Sequence, residues 1–130
     1  MLSSHLKKTN NTTGAAGEEA AANFLLRKGY EIVARNFKAD KCEIDIIAKE
    51  KNTLVFVEVK TRSSGKYGNP EEAVTPAKQR NMVRAAEIYV EENGWKNEIS
   101  FDVISIIPHP EGTFSIHHIC DAFSPQGEDF

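Results

Sequence analysis

In Leu54-Val55-Phe56-Val57-Glu58-Val59, β-favouring residues follow one another with a single acid among them. So continuous a segment predicts a central strand, over residues 54–61, rather than a surface element. Strands before it are expected over 30–37, with Ile32 and Val33 inside, and over 42–48. The charged stretch 49–53, with Asn52, reads as the hairpin turn into the central strand. Two further strands are expected over 99–108 and 114–119. A first helix is predicted from about Gly14 to Lys28, with Ala21, Ala22, Phe24 and Leu25 on its apolar stripe and Gly29 just past its end. Thr75-Pro76 opens a second helix, with the threonine as N-cap and the proline at the first helical position. It runs to about Asn93, with Gly94 as terminator and Met82, Ala85, Ala86 and Tyr89 on the buried side. The order is α-β-β-β-α-β-β, an α/β fold with a central mixed sheet flanked by helices. One domain is expected over 14–123, between a flexible arm (1–13) and a flexible tail (124–130).

With 40% hydrophobic and 27% charged residues, the chain has the balance of a globular protein with a real core. Its apolar runs fall well short of the ~20 residues that span a bilayer. Lys7 and Lys8 have no apolar stretch behind them, so no secretory leader is expected. Cys42 and Cys120 form neither a CxxC pair nor a disulfide framework. The expectation is a cytoplasmic protein without membrane attachment. The net charge of −3 argues against coating nucleic acid by bulk attraction. Charge is nevertheless segregated: Lys60, Arg62, Lys66, Lys78, Arg80 and Arg84 stand against only Glu71 and Glu72 in that stretch.

Two acids occupy positions where acids are costly. Asp45 lies inside Ile44-Asp45-Ile46-Ile47, and Glu58 lies in the central strand. An ionised carboxylate left unpaired in an interior needs a compensating partner. A divalent cation is one, because carboxylate oxygens are natural ligands of magnesium and manganese. Side chains two apart share a face of a strand, so Glu58 projects with Lys60, and Glu43 with Asp45. A short turn makes these strands antiparallel neighbours, which brings Asp45 and Glu58 within reach of one ion with Lys60 beside them. Such a group suits phosphodiester hydrolysis: the ion binds a phosphate oxygen and acidifies a water, and the lysine positions that water or offsets developing charge. Glu18 stands in the first turn of the expected first helix, where the dipole favours an acid. Plainer readings exist beside these. Glu58 and Lys60 also make sense as a solvent-facing ion pair, and Glu18 as charge complementation of a helix start.

An ordered set of motifs then becomes visible. It runs Gly14-x-x-Gly17-Glu18-x-x-Ala21, Gly29-Tyr30-x-Ile32-x-x-Arg35-Asn36, Glu43-Ile44-Asp45-Ile46-Ile47-Ala48 and Val55-Phe56-Val57-Glu58-Val59-Lys60-x-Arg62. Phe101-Asp102-Val103 and Ile116-x-His118-Ile119-x-x-Ala122-Phe123 complete it. Over residues 14–123 the chain closely resembles the YraN-like family of uncharacterised bacterial proteins. That family looks like a branch of the PD-(D/E)XK superfamily of restriction-endonuclease folds and resembles archaeal Holliday-junction resolvases. The resemblance implies a restriction-endonuclease-like fold. In it Asp45 stands for the motif's first acid, Glu58 and Lys60 for its E-x-K, and Glu18 for an extra acid on the first helix. Ile44 replaces proline before Asp45, and Cys42 stands where a glycine is expected before Glu-Ile-Asp; neither departure removes a ligand.

The reading is a metal-dependent DNA endonuclease, in which Glu18, Asp45 and Glu58 hold Mg2+ or Mn2+ and the Val59 carbonyl adds a ligand. Branched or distorted DNA is the substrate class the resolvase resemblance implies, and two symmetric cuts imply a homodimer. Arg35, Arg62, Lys78, Gln79 and Arg80 are candidate nucleic-acid contacts, since basic side chains supply most sequence-independent affinity. Arg84 is weighed with them; solvated helix faces explain such residues equally well. A loop over 62–74, with Gly65, Tyr67, Gly68 and Pro70, is either a cover over substrate or a plain connection. His117, His118 and Cys120 look like metal ligands by type, but adjacent strand residues face opposite ways, so no zinc site is expected from them. Asp102 has no assigned role. The competing reading is a non-catalytic nucleic-acid-binding or protein-interaction module on the same fold.

Overall fold

The computed structural model describes residues 9–62 and 74–125, with side chains from residue 14 onward. Residues 1–8 of the expected arm, the loop 63–73 with Gly65, Lys66, Tyr67, Gly68 and Pro70, and residues 126–130 of the tail lie outside the described residues. The elements are α1 (Thr9–Arg27), β1 (Glu31–Ala39), β2 (Cys42–Glu50), β3 (Thr53–Thr61), α2 (Pro76–Asn93), β4 (Glu98–Pro108) and β5 (Phe114–Phe123). Their order is the expected one, and they form one mixed five-stranded sheet ordered β1-β2-β3-β4-β5. The β1–β2, β2–β3 and β4–β5 pairs are antiparallel; β3 and β4 are parallel, joined through α2.

Local chemistry accounts for the boundaries. Thr75 is extended (φ −65°, ψ 160°), and its side-chain oxygen accepts from the Lys78 N–H at 3.1 Å. Pro76 then fills a first-turn position that has no need of an N–H. Both helices stop in the same way. Gly29 and Gly94 adopt positive φ (95° and 62°). The next residue, Tyr30 or Trp95, donates back to Leu25 O or Val90 O at 3.0 and 3.1 Å. This is the wrapped ending that only glycine adopts at little cost. Asp40 and Lys41, both at positive φ (55° and 65°), close the two-residue hairpin between Ala39 and Cys42. The hairpin between β2 and β3 is tighter than the expected 49–53: only Lys51 and Asn52 separate Glu50 from its partner Thr53. One boundary moves further. α1 begins at Thr9, so Thr9–Thr13, expected in the arm, are helical. Asparagine and threonine inside a helix cost only a few tenths of a kcal/mol each over alanine, which is no barrier once the helix is anchored.

The sheet carries a helix on each face. Leu54 and Phe56 of β3 pack with Met82, Val83, Ala85 and Ala86 of α2. Val55 and Val57, one residue out of phase, pack with Ala21, Ala22 and Leu25 of α1. The unbroken β-favouring run of β3 is thus buried on both faces. Among the described residues, no helix is long and apolar enough to cross a membrane.

Candidate metal centre

β3 turns polar at its end, and the candidate site gathers there. Glu58 follows the face of Phe56, under α2, and is only 5% exposed. Its Oε1 accepts no hydrogen bond from the described residues. Among the described residues its ion-pair partner is Lys78 of α2, whose Nζ lies 3.7 Å away. Burial, and then the negative charge of Asp45, push the Glu58 carboxyl up to about 7; Lys78 and Lys60 pull it down without prevailing. The Asp45 and Glu58 side chains lie within hydrogen-bonding reach, so a protonated Glu58 donates to Asp45.

Asp45 is held from behind. Its Oδ2 accepts the Val59 N–H at 2.8 Å, an i to i+14 bond that ties β2 to the end of β3. The last pair in the β2–β3 register is Ile46↔Val57, so the Asp45 carboxylate takes over where the backbone ladder stops. Strict alternation also breaks at this residue. Ile44 belongs to the α2-side cluster and Ile46 to the α1-side cluster, with only Asp45 between them. The strand opposite is irregular at the same level. Asn36, between the pairs Arg35↔Ile46 and Phe37↔Ile44, adopts a left-handed φ of 53°. Asparagine tolerates that conformation better than most residues. Asn36 thus stands opposite Asp45 at the break in alternation.

The third acid comes from α1. Gly17 lets that helix press onto β3: a Cβ there would sit 2.5 Å from Thr61 Oγ1. Glu18 follows at once. Its carboxyl is pushed up by partial burial first, then by Asp45 and Glu43, while Arg35 and a hydrogen bond with Asn36 oppose the shift. Glu18, Asp45 and Glu58 therefore form a chain of mutually felt charges with Asp45 in the middle. Half-buried Lys60 belongs to the same group through its influence on Glu58.

The other basic candidates divide. Lys78 turns inward to Glu58. Arg35 donates to Glu19 Oε1 at 2.9 Å on the rim beside Glu18. Arg62 donates its backbone N–H to Ile106 O at 2.8 Å, and its buried Nε has no hydrogen-bond partner among the described residues. Gln79 donates to Val74 O at 3.0 Å, bracing the entry to α2. Arg80 is exposed and, with Gln79 and Arg84, lines a groove of about 410 Å3 along α2. Sequence reasoning missed Asn36 as the residue opposite Asp45, and missed Lys78 as the partner of Glu58. The signal for Asn36 was its residue type within a strand. Lys78 was a candidate through its place at the start of the second helix, but its pairing with Glu58 depends on how α2 crosses the sheet.

The donor set is three carboxylates, one of them with a buried oxygen that accepts no hydrogen bond from the described residues. That chemistry suits a hard divalent cation of the magnesium or manganese kind.

Comparison with known proteins places the molecule. The model of "Uncharacterised protein family UPF0102" matches residues 17–106. The chain belongs to the UPF0102 (YraN-like) family. A UPF0102 protein from Christiangramia forsetii is 46% identical over 114 residues, covering 88% of this chain and 95% of its own length. One from Syntrophomonas wolfei is 46% identical over 115 residues, covering 88% and 99%. One from Symbiobacterium thermophilum is 48% identical over 111 residues, covering 85% and 94%. The UPF0102 match spans Glu18, Asp45, Glu58 and Lys60 together with β2, β3 and residues 17–27 of α1.

Proposed function

We propose that this UPF0102 protein is a metal-dependent nuclease that hydrolyses DNA phosphodiester bonds, with branched, Holliday-junction-like DNA as its preferred substrate. The supporting observation is the buried Glu58 carboxyl, whose Oε1 lacks a hydrogen bond while Asp45 stands against it. Two adjacent acids resist full ionisation near neutrality without a cation between them. Glu18, Asp45 and Glu58, with the Val59 carbonyl, would hold Mg2+ or Mn2+. When bound, such an ion neutralises phosphate charge and acidifies a water. Lys60 orients that water or balances charge developing on phosphorus. Asp45 keeps its carboxylate aimed because the Val59 N–H holds one oxygen. Arg35, Arg62, Lys78, Gln79 and Arg80 contribute contacts to the DNA backbone, with no base reading. A cytoplasmic homodimer, with two sites for two symmetric cuts, fits this reading.

The test incubates purified protein with Mn2+ or Mg2+ and labelled four-way junctions, flaps and duplexes. Asp45→Ala and Lys60→Ala are expected to abolish cleavage; cleavage that persists in both variants refutes the proposal. The Lys78 ammonium, 3.7 Å from Glu58, favours a second reading, in which an internal cation does the neutralising and the protein binds DNA without cutting it. Salt-sensitive DNA binding with no dependence on divalent ions would identify that case.

A further inference from the structure

On the α1 side of the sheet, apart from Glu58, a second polar cluster lies between β4 and β5. The register shifts between Phe101 and Val103, opposite Asp121, whose φ is 53°. This bulge brings β5 polar groups around Asp102. Asp102 Oδ1 accepts from Ser100 Oγ (2.7 Å) and from the Asp121 N–H (2.9 Å). Oδ2 lies 2.8 Å from His118 Nε2. Cys120 Sγ lies 3.6 Å from the same nitrogen and 3.9 Å from Nδ1. The Asp102 and His118 side chains are 2% and 3% exposed, whereas Cys120 is exposed. Lys28 Nζ sits 2.9 Å from His118 Nδ1. An ammonium can only donate, so Nδ1 accepts and Nε2 carries the hydrogen that Asp102 receives.

We propose that Asp102 Oδ2, His118 Nε2 and Cys120 Sγ form a binding site for a zinc-type divalent ion. The three donor atoms lie within 4.8 Å of one another. A nucleophilic cysteine relay would place acid and thiol on opposite ring nitrogens. Here the acid holds Nε2 and the thiol lies beside the ring, closer to Nε2 than to Nδ1, so the three donors border one space. In tetrahedral zinc, bonds of about 2.0 Å to nitrogen and about 2.3 Å to sulfur put those two ligands ~3.6 Å apart. The Sγ–Nε2 separation is 3.6 Å. Oδ2 needs to withdraw by ~0.5 Å, and the exposed Cys120 side chain to rotate from beside the ring toward its plane, for the three ligands to take tetrahedral positions. Ser100 and the Asp121 N–H already fix Oδ1, so the carboxylate is aimed by its own outer contacts. A donor set of N, O and S selects zinc over magnesium, which separates this site from the all-carboxylate centre. The exposed Cys120 provides the way in.

Lys28 supplies a distinctive consequence. An ion on Nε2 moves the ring hydrogen to Nδ1, where the ammonium can no longer donate. Lys28 must then swing away from a position it also holds over the Phe24 and Tyr30 rings, at 5.2 and 5.8 Å.

The experiment titrates Co2+ and Zn2+ into the Cys42→Ser protein, which leaves Cys120 as its one thiol. The expected result is thiolate-to-cobalt charge-transfer absorption that saturates with one equivalent at this site, whatever the carboxylate centre binds. Adding Cys120→Ser should remove that absorption and weaken zinc binding at least ~10-fold. The exposed position keeps this variant folded, which circular dichroism checks. Lys28→Met is expected to tighten zinc binding. Absence of the charge-transfer band, unchanged zinc affinity in Cys120→Ser, or no tightening in Lys28→Met would overturn the proposal. Carboxylate-bound ions give no thiolate band, so failure here and failure of the nuclease reading are read out separately.

Discussion

Glu58 titrates in two environments, and the difference makes its role measurable. In the unfolded chain its carboxyl ionises near 4.5; in the fold, burial and then Asp45 push it up to about 7. Between these values the folded protein holds a proton that the unfolded chain has released. Stability therefore falls as pH rises through this window, and the penalty is complete above about pH 7. Its size is roughly 3 kcal/mol at most. Glu58→Gln should accordingly be more stable than the parent near pH 8 and similar near pH 4, as urea denaturation at the two pH values will show. A cation at the site should offset the same penalty. Mg2+ or Mn2+ is expected to stabilise the parent more near pH 8 than near pH 5, chelation should reverse the gain, and Glu58→Gln should not respond. Asp45→Asn offers a cleaner probe than alanine, because an amide oxygen can still accept the Val59 N–H. With the neighbouring charge gone, the Glu58 titration followed by NMR should move downward while the fold persists. An unmoved titration would mean that Asp45 is not what holds Glu58 up.

Two glycines in α1 have opposite expectations, although the sequence presents them alike. At Gly14 a Cβ would meet nothing within 4 Å, so Gly14→Ala should add stability of up to ~1 kcal/mol from helix propensity. At Gly17 the same change drives a methyl to 2.5 Å from Thr61 Oγ1. Threonine is stiff about its first side-chain torsion, so α1 must lift or the side chain must leave its rotamer. Overpacking of this kind costs ~1–3 kcal/mol and outweighs the propensity gain. Gly17→Ala should therefore lower the denaturation midpoint and, by lifting α1, weaken divalent-ion binding through Glu18; a gain in stability would show that the helix does not rest on β3. This contrast marks what single-sequence reading can reach. The limits of α2 were legible because Thr75, Pro76 and Gly94 act on their own backbone. The burial of β3 was legible from its unbroken apolar run, and with it the exceptional place of Glu58. Gly17 against Thr61, Asn36 opposite Asp45 and the pairing of Asp102 with His118 were not. Each depends on a register or a crossing between distant segments, which residue type and spacing do not specify.

The molecule as a whole has two unlike ends. β3 and β4 run parallel from Thr53 and Glu98 toward Thr61 and Ile106. The acids, Lys60 and the start of α2 collect at the far end, the usual place for ligands in a sheet with a parallel crossover. The near end carries Asn52, Lys96 and Asn97 around a separate surface hollow. A net charge of −3 gives no general attraction to a polyanion, so any DNA affinity has to come from local basic groups. Arg80, exposed on the groove along α2, is placed to supply one such contact, whereas Arg84 is already engaged with Asp40 at 3.0 Å. Neutralising a phosphate releases condensed counterions, so each contact leaves its mark on the salt dependence. Arg80→Ala is expected to weaken junction binding at every sequence alike and to flatten the slope of log affinity against log salt by ~1. Lys96→Ala, at the opposite end of the strands, should leave both unchanged. Fluorescence anisotropy across a salt series measures the two variants side by side. Equal slopes for them would place the DNA elsewhere on the molecule than over the carboxylates.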